Sequence, residues 1–224
     1  MPEVKRKFVV PGDVVAKGVH HRLGANVLKR GEDIVATRVG LAEIGDVIRV
    51  IPLSGPYIPK VDDFVVGKII DYSAFTWEVD INSCFLAILP AQNVFGRQFS
   101  PTGESLSAKF DIGDLIGAKI QAFDRTRDPV LTLLGGHGLG KIDRGKVVKI
   151  QPSRVPRLIG KKGSMIRTIE EKTRCRLTVG QNGIVVVNGP PEGVLKAIKA
   201  IRLIEEEAHT ADLTQRVQEL LGKS

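Results

Sequence analysis

The 224-residue sequence predicts a multidomain protein with a small all-β N-terminal domain, a five-stranded barrel, and a C-terminal α+β domain of β-α-α-β-β-α order. Three observations predict it. Before residue 140, short β-branched runs follow Gly-Asp or Asp-Asp turns. Beyond that point, a tight Gly160-Lys161-Lys162-Gly163 loop stands between two short helical patterns. The charge is concentrated there too: residues 140–174 hold 11 Lys and Arg against 3 Asp and Glu, while the remainder holds 22 of each sign. The whole +8 excess therefore surrounds one motif, which points to an anionic partner at that place.

The turn-then-strand pattern recurs four times. Gly12-Asp13 leads into Val14-Val15, Gly45-Asp46 into Val47-Ile48, Asp62-Asp63 into Phe64-Val65-Val66, and Gly113-Asp114 into Leu115-Ile116. Branched side chains fit a pleated surface, and the small polar residues before them accommodate turns. Residues 1–58 form the N-terminal β domain, closing at Ser54-Gly55-Pro56-Tyr57-Ile58-Pro59. His20-His21 has no carboxylate or cysteine set around it, so the domain is assigned a structural or protein-docking role.

Residues 60–135 read as the barrel. Val65–Tyr72, Trp77–Ile81, Phe85–Leu89, Leu115–Phe123 and Val130–Leu134 supply five strands, and closure into a barrel removes exposed sheet edges. Trp77, Val79 and Ile81 recur at period two, which assigns Trp77 to the core. Tyr72 and Phe75 are placed either in packing or in base stacking. A long loop runs from Pro90 to about Ala108, with Phe95 and Phe99 contacting RNA or another domain. Arg97, Arg125 and Arg127 lie in loops as phosphate contacts or as solvated charges.

Gly135-Gly136-His137-Gly138-Leu139-Gly140-Lys141-Ile142 resembles a phosphate-binding loop in spacing only. That motif needs Ser or Thr after the lysine to hold magnesium, and Ile142 stands there. No alternating strand and helix organisation follows for a dinucleotide, so the segment reads as a flexible linker. No cofactor is expected. Cys84 and Cys175, in separate domains, read as buried thiols, and two cysteines with dispersed histidines specify no metal site. No apolar run approaches the roughly 20 residues of a membrane span, and the polar N-terminus lacks a signal core, so the expected location is the cytoplasm and no membrane partner is expected.

The C-terminal domain spans 141–210, with 211–224 as a short helix or tail. Lys146–Ile150 begins it as a strand, Pro156–Ile159 opens a helix, and Ser164–Lys172 forms another with Ile166 and Ile169 inward. Strands Cys175–Val179 and Ile184–Val187 follow, joined by Gly180-Gln181-Asn182-Gly183. After Gly189-Pro190-Pro191, Val194, Leu195, Ile198, Ile201 and Leu203 or Ile204 mark one helical face. Leu213, Val217, Leu220 and Leu221 allow a last helix packed on this domain or on a partner.

The residue types in the loop have physical roles. Gly160 and Gly163 permit a tight turn and close backbone approach, while Lys161 and Lys162 can neutralise phosphate oxygens. Amides at the next helix start favour the same anion. Arg157 and Arg167 flank the loop; Ile159, Ile166 and Leu177 line an adjoining groove or belong to the core. No side-chain set suits a nucleophile, an acid/base pair or a carboxylate metal site, so no catalytic residue is assigned.

Ile-Gly-Lys-Lys-Gly-Ser within this element order resembles a KH domain of the eukaryotic-like topology. Gly67-Lys68-Ile69-Ile70-Asp71-Tyr72, with Phe75 and Trp77, resembles an S1-type domain of the oligonucleotide-binding barrel class, departing from its glycine-rich central pattern. Together with the N-terminal domain, the chain resembles the KH-bearing RNA-binding cap subunit of the archaeal exosome over nearly its whole length. The resemblance implies single-stranded RNA as a partner, with Arg157, Ile159, Gly160, Lys161, Lys162, Gly163 and Arg167 at the KH site. It also implies a hexameric ring of phosphorolytic exoribonuclease-type subunits and other cap subunits in a three-subunit platform. On this reading the chain does not cut RNA but feeds its 3' end to the ring. The alternative is a standalone RNA chaperone or translation-associated RNA binder.

Overall fold

The computed structural model describes residues 5–18, 22–96, 106–124, 126–136, 138–207 and 212–222. The chain divides into two units, Met1–Gly55 and Pro56–Ser224.

In the first unit, β1 (Lys5–Val9), β2 (Val14–Lys17), β3 (Arg22–Leu23), β4 (Val27–Arg30), β5 (Asp33–Ala36), β6 (Gly40–Ile44) and β7 (Val47–Pro52) form two sheets, ordered β1-β6-β7-β3 and β2-β5-β4. Alternation on β7 sends Ile48 and Val50 into a core with Val9, Ile34 and Ala42 and leaves Val47, Arg49 and Ile51 exposed. Glu43 is a buried acid held by Arg49 at 2.7 Å and Arg6 at 3.0 Å. The Arg49 hydrogen bond holds its carboxyl below the ordinary carboxylate range, against the opposing effect of burial.

The second unit begins with the expected barrel. It comprises β8 (Phe64–Tyr72), β9 (Thr76–Asp80), β10 (Leu86–Pro90), β11 (Leu115–Ala122) and β12 (Val130–Thr132). β12 pairs with both β10 and β11, which closes the sheet. Trp77 is fully buried, and its indole N–H donates to the Phe110 carbonyl at 3.3 Å. The stretch read as one long loop contains α1 (Gln92–Phe95) and α2 (Leu106–Lys109). They place Phe95 and Phe110 against Trp77, at ring-centroid separations of 6.2 and 5.4 Å.

The glycine-rich segment is not wholly a linker. Its end forms β13 (Gly140–Lys141), which pairs with β11, and the Lys141 ammonium reaches Asp114 at 2.6 Å. Edge pairing of two residues leaves no periodic signal, which is why sequence pattern missed it.

The α+β domain has the expected order: β14 (Lys146–Lys149), α3 (Val155–Ile159), α4 (Ser164–Thr173), β15 (Arg176–Val179), β16 (Ile184–Asn188) and α5 (Pro191–Glu206). A terminal helix, α6 (Leu213–Gly222), buries Leu213, Val217 and Leu221 in the same core. The sheet order is β14-β16-β15, all antiparallel. Two details differ from expectation. Leu195 is 62% exposed, because the buried face of α5 runs through Ala197, Ala200, Ile201 and Ile204, with Val194 and Ile198 half-buried beside it. Of the two cysteines, Cys175 is buried but Cys84 is exposed, sitting between barrel strands.

One face of this sheet carries the helices, with Leu177, Val185 and Val187 turned toward them. The opposite face turns Ile184 and Val186 onto Val66 of the barrel, with Phe64, Leu115 and Ile142 packed around them. Each fully buried branched side chain of this kind contributes about 1.5–3 kcal/mol. A polar contact fixes the register of this seam. Asn182, 0% exposed, donates from Nδ2 to the carbonyls of Val66 at 2.7 Å and Ile81 at 2.8 Å, and its Oδ1 accepts from the Val66 amide at 3.3 Å. Asn82 Nδ2 donates to the Asn182 carbonyl at 3.1 Å, and the Gln181 amide donates to the Phe64 carbonyl at 2.8 Å. The Asn182 side chain thus pairs with a barrel strand much as another strand's backbone would.

Removing a buried group that satisfies several partners costs more than the bond itself is worth. Asn182→Ala is expected to lower the stability of the intact chain by about 2–4 kcal/mol in urea unfolding. A loss under about 0.5 kcal/mol, the range of ordinary surface changes, would contradict a stabilising seam.

Candidate nucleic-acid interface

The Gly160–Gly163 loop is built from backbone that few residues adopt. α3 ends at Ile159, and Gly160 takes φ 74°, where an added Cβ would lie 2.8 Å from the Met165 amide nitrogen. Lys162 then adopts φ 52° and ψ 29°, left-handed for a residue with a side chain, and Gly163 takes φ 78°. Such conformations persist only where the surroundings hold them and are enriched at ligand-binding sites. The result is a one-turn reversal, closed by a 3.3 Å bond from the Gly163 amide to the Gly160 carbonyl.

Lys161 and Lys162 project from this reversal into solvent, as do Arg157 on α3 and Arg167 on α4. None of the four is ion-paired with an acid among the described residues. The N-terminus of α4 has no side-chain cap and no acidic residue in its first turn. The Ser164 amide donates to the Lys161 carbonyl, so it is the positive end of the helix dipole that stands beside the lysines. Four cations without an ion pair among the described residues thus stand around one helix start, a charge arrangement that can attract an anion.

Ile159 and Ile166 are half-buried against the core and keep some surface beside the loop, whereas Leu177 is buried within it. The two isoleucines can thus offer an apolar floor to a base. Glu170 is turned away, its carboxylate accepting from the Leu177 amide at 2.7 Å.

On the barrel, Phe75 is 58% exposed and Tyr72 39% exposed, both at the β8–β9 hairpin. Arg127 is exposed in a turn organised by Asp124, whose carboxylate accepts from the Thr126 hydroxyl and from the Thr126 and Arg127 amides. These bonds, the Thr126 hydroxyl foremost, hold the Asp124 carboxyl below its ordinary value. The aromatic pair and Arg127 do not come together. Phe75 meets the chain just beyond the C-terminal end of β10, through Ala91, while the Arg127 turn joins its middle through a bond from the Ile88 amide to the Pro129 carbonyl. Arg97 and Arg125, also read as phosphate contacts, lie outside the described residues, as do His20, His21, Phe99, His137 and His209.

Sequence reasoning missed Asn182. Its signal was present as an Asn-Gly pair in a short strand connection, but that pair reads as turn chemistry alone. Gly183 does take the left-handed turn, at φ 80°.

A closed five-stranded barrel joined to a β-α-α-β-β-α domain with an exposed Gly-Lys-Lys-Gly reversal defines a protein of the S1-type barrel and KH class. A family model for the KH domain matches residues 145–203. The chain is 52% identical to the exosome complex component Rrp4 of Nitrosopumilus maritimus over 98% of its own length and 97% of the relative's. It is 43% identical to that of Thermofilum pendens, covering 96% and 92% of the two chains. A crystal structure provisionally described as an exosome complex RNA-binding protein superposes with a TM-score of 0.69 at 43% identity, over 75% of this chain and 97% of that one. The chain belongs to the Rrp4 family of exosome complex components.

The loop geometry makes a direct prediction. Gly160→Ala forces a side chain into left-handed backbone against Met165, and is expected to cost about 1–3 kcal/mol in thermal unfolding. An unchanged midpoint would mean that the reversal carries no such strain.

Proposed function

We infer that this chain is a non-catalytic RNA-binding subunit of the exosome, holding single-stranded RNA and directing it into an exoribonuclease complex. The observation that carries the reading is the Gly-Lys-Lys-Gly reversal, with two unpaired lysines at an uncapped helix start, in a chain of the Rrp4 family. Lys161 and Lys162 neutralise successive phosphates, the α4 dipole adds to the attraction, and Arg157 and Arg167 extend the cationic border. Ile159 supplies an apolar surface to a base. KH domains hold about four nucleotides in this manner. Phe75 and Tyr72 add a stacking surface on the barrel, and Arg127 a separate phosphate contact. Two modest sites on one chain hold RNA more tightly than either alone.

The finer assignment concerns partners. Residues 1–58 serve to dock the chain on a hexameric ring of phosphorolytic exoribonuclease-type subunits, beside other cap subunits in a three-subunit platform in the cytoplasm. The RNA then enters the ring by its 3' end. Support comes from exposed apolar side chains on the first unit, among them Phe8 at 57% and Leu28 at 58%. The first unit carries eight of the seventeen large apolar side chains exposed among the described residues, an abundance that favours a docked subunit over a standalone RNA binder.

Binding of single-stranded RNA to the intact chain and to a Lys161→Ala/Lys162→Ala variant tests the reading. The double variant is expected to bind at least about tenfold more weakly, with a salt slope reduced by about 1.4, from roughly 0.7 for each phosphate no longer neutralised. Unchanged affinity in the folded variant would move phosphate capture away from the loop.

A further inference from the structure

The face of the α+β sheet that meets the barrel is only half covered. Ile184 and Val186 lie under barrel side chains. Beyond them the same face turns Arg176, Thr178 and Asn188 outward, since the intervening Leu177 and Val187 point to the helices. Arg176 stands directly across from Asn188, and Thr178 across from Val186. The segment leaving the barrel, with Lys141 and Arg144, forms the facing wall. Together they enclose a groove of about 640 Å³, floored by Val186.

The groove's chemistry is one-sided. Arg144 and Arg176 are exposed, and neither is ion-paired with an acid among the described residues. Lys141 is already engaged by Asp114, which raises its affinity for the proton and keeps it charged. Asp143 is the sole acid in the lining. Asn188 and Thr178 add an amide and a hydroxyl that can donate to an oxygen. Two unpaired guanidiniums across a polar groove match phosphate oxygens, which they can bind through paired N–H groups.

We propose that this groove is a second contact for single-stranded RNA, in which Arg144 and Arg176 take phosphates of nucleotides lying outside the Gly-Lys-Lys-Gly clamp. The proposal rests on the RNA-binding reading and deepens it. β15 is the edge strand of its sheet, so no further strand blocks passage from the helix-bearing face to the groove. α4, with the loop at its start, spans ten residues or about 15 Å before β15 begins. The clamp and the groove therefore lie on opposite faces of one three-stranded sheet. A four-nucleotide RNA held at the loop does not enter the groove, whereas a longer one rounds the edge at Arg176. The contact is to backbone and so is indifferent to base sequence.

The test uses the intact chain, an Arg144→Gln/Arg176→Gln variant and the Lys161→Ala/Lys162→Ala variant, each with an RNA tetranucleotide and a dodecanucleotide over a salt series. Thermal unfolding of each variant verifies that it remains folded. The arginine variant is expected to bind the dodecanucleotide about tenfold more weakly, with a salt slope lower by about 1.4, and the tetranucleotide unchanged. An unchanged dodecanucleotide affinity and slope would overturn the proposal. Equal losses for both RNAs would overturn it as well, by making the arginines part of the clamp. Unchanged RNA binding with weakened association to an exosome subunit would assign the groove to a protein and also overturn it. The lysine variant tests the clamp separately: if it leaves tetranucleotide binding intact, the clamp assignment fails whatever the arginines do.

Discussion

A single buried amide sets the relation between barrel and α+β domain. Asn182 reaches into the barrel wall at Val66 and Ile81, where strand carbonyls and an amide would otherwise be left in an apolar seam. The apolar contacts around it supply most of the burial, but such contacts tolerate sliding. Hydrogen bonds to specified carbonyls do not, so the amide converts a greasy contact into a particular orientation. The Gly180–Gly183 connection is committed to this seam and is unavailable to RNA. The Gly-Lys-Lys-Gly reversal lies away from the seam, on the helical layer, with both lysines exposed.

That reversal and the charge distribution work together. The basic excess of the chain is confined to the stretch that includes the loop, its flanking helices and the segment leaving the barrel. The folded structure leaves Arg144, Arg157, Lys161, Lys162 and Arg167 without an ion pair among the described residues, whereas Lys119 and Lys141 meet Asp62 and Asp114. Like charges left unpaired in one region disfavour the compact state slightly and attract a polyanion from solution. Left-handed Lys162 is a second local cost at the same place. Two unfavourable features at one loop make sense if a ligand relieves them, since phosphate offsets the charge and the turn aims the donors.

Much of this was legible in the sequence because it is local. All four acidic turns led into strands, at Val14, Val47, Phe64 and Leu115. The loop was readable because glycine, lysine and flanking helical periods sit within a few residues of one another. Trp77 was assignable to the core from period two alone. The missed features are long-range: Asn182 acts on residues more than 100 positions away, and the Lys141 strand is defined by its partner, β11. The exposure of Leu195 illustrates a further limit, since helical spacing marks a face but not which part of it a close-packed sheet admits. Arg144 and Arg176 become neighbours across one groove only after the sheet and the barrel segment have folded together.

Photocrosslinking of a thiouridine-containing single-stranded RNA to the intact chain, with the adducts mapped by peptide mass, tests most directly whether the Gly-Lys-Lys-Gly reversal captures RNA. Adducts are expected in the segment from Arg157 to Arg167 and at the Tyr72–Phe75 hairpin of the barrel, both suppressed by added unlabelled RNA. Adducts confined to residues 1–55, or competed by double-stranded RNA as readily as by single strands, would contradict capture of single strands at the loop.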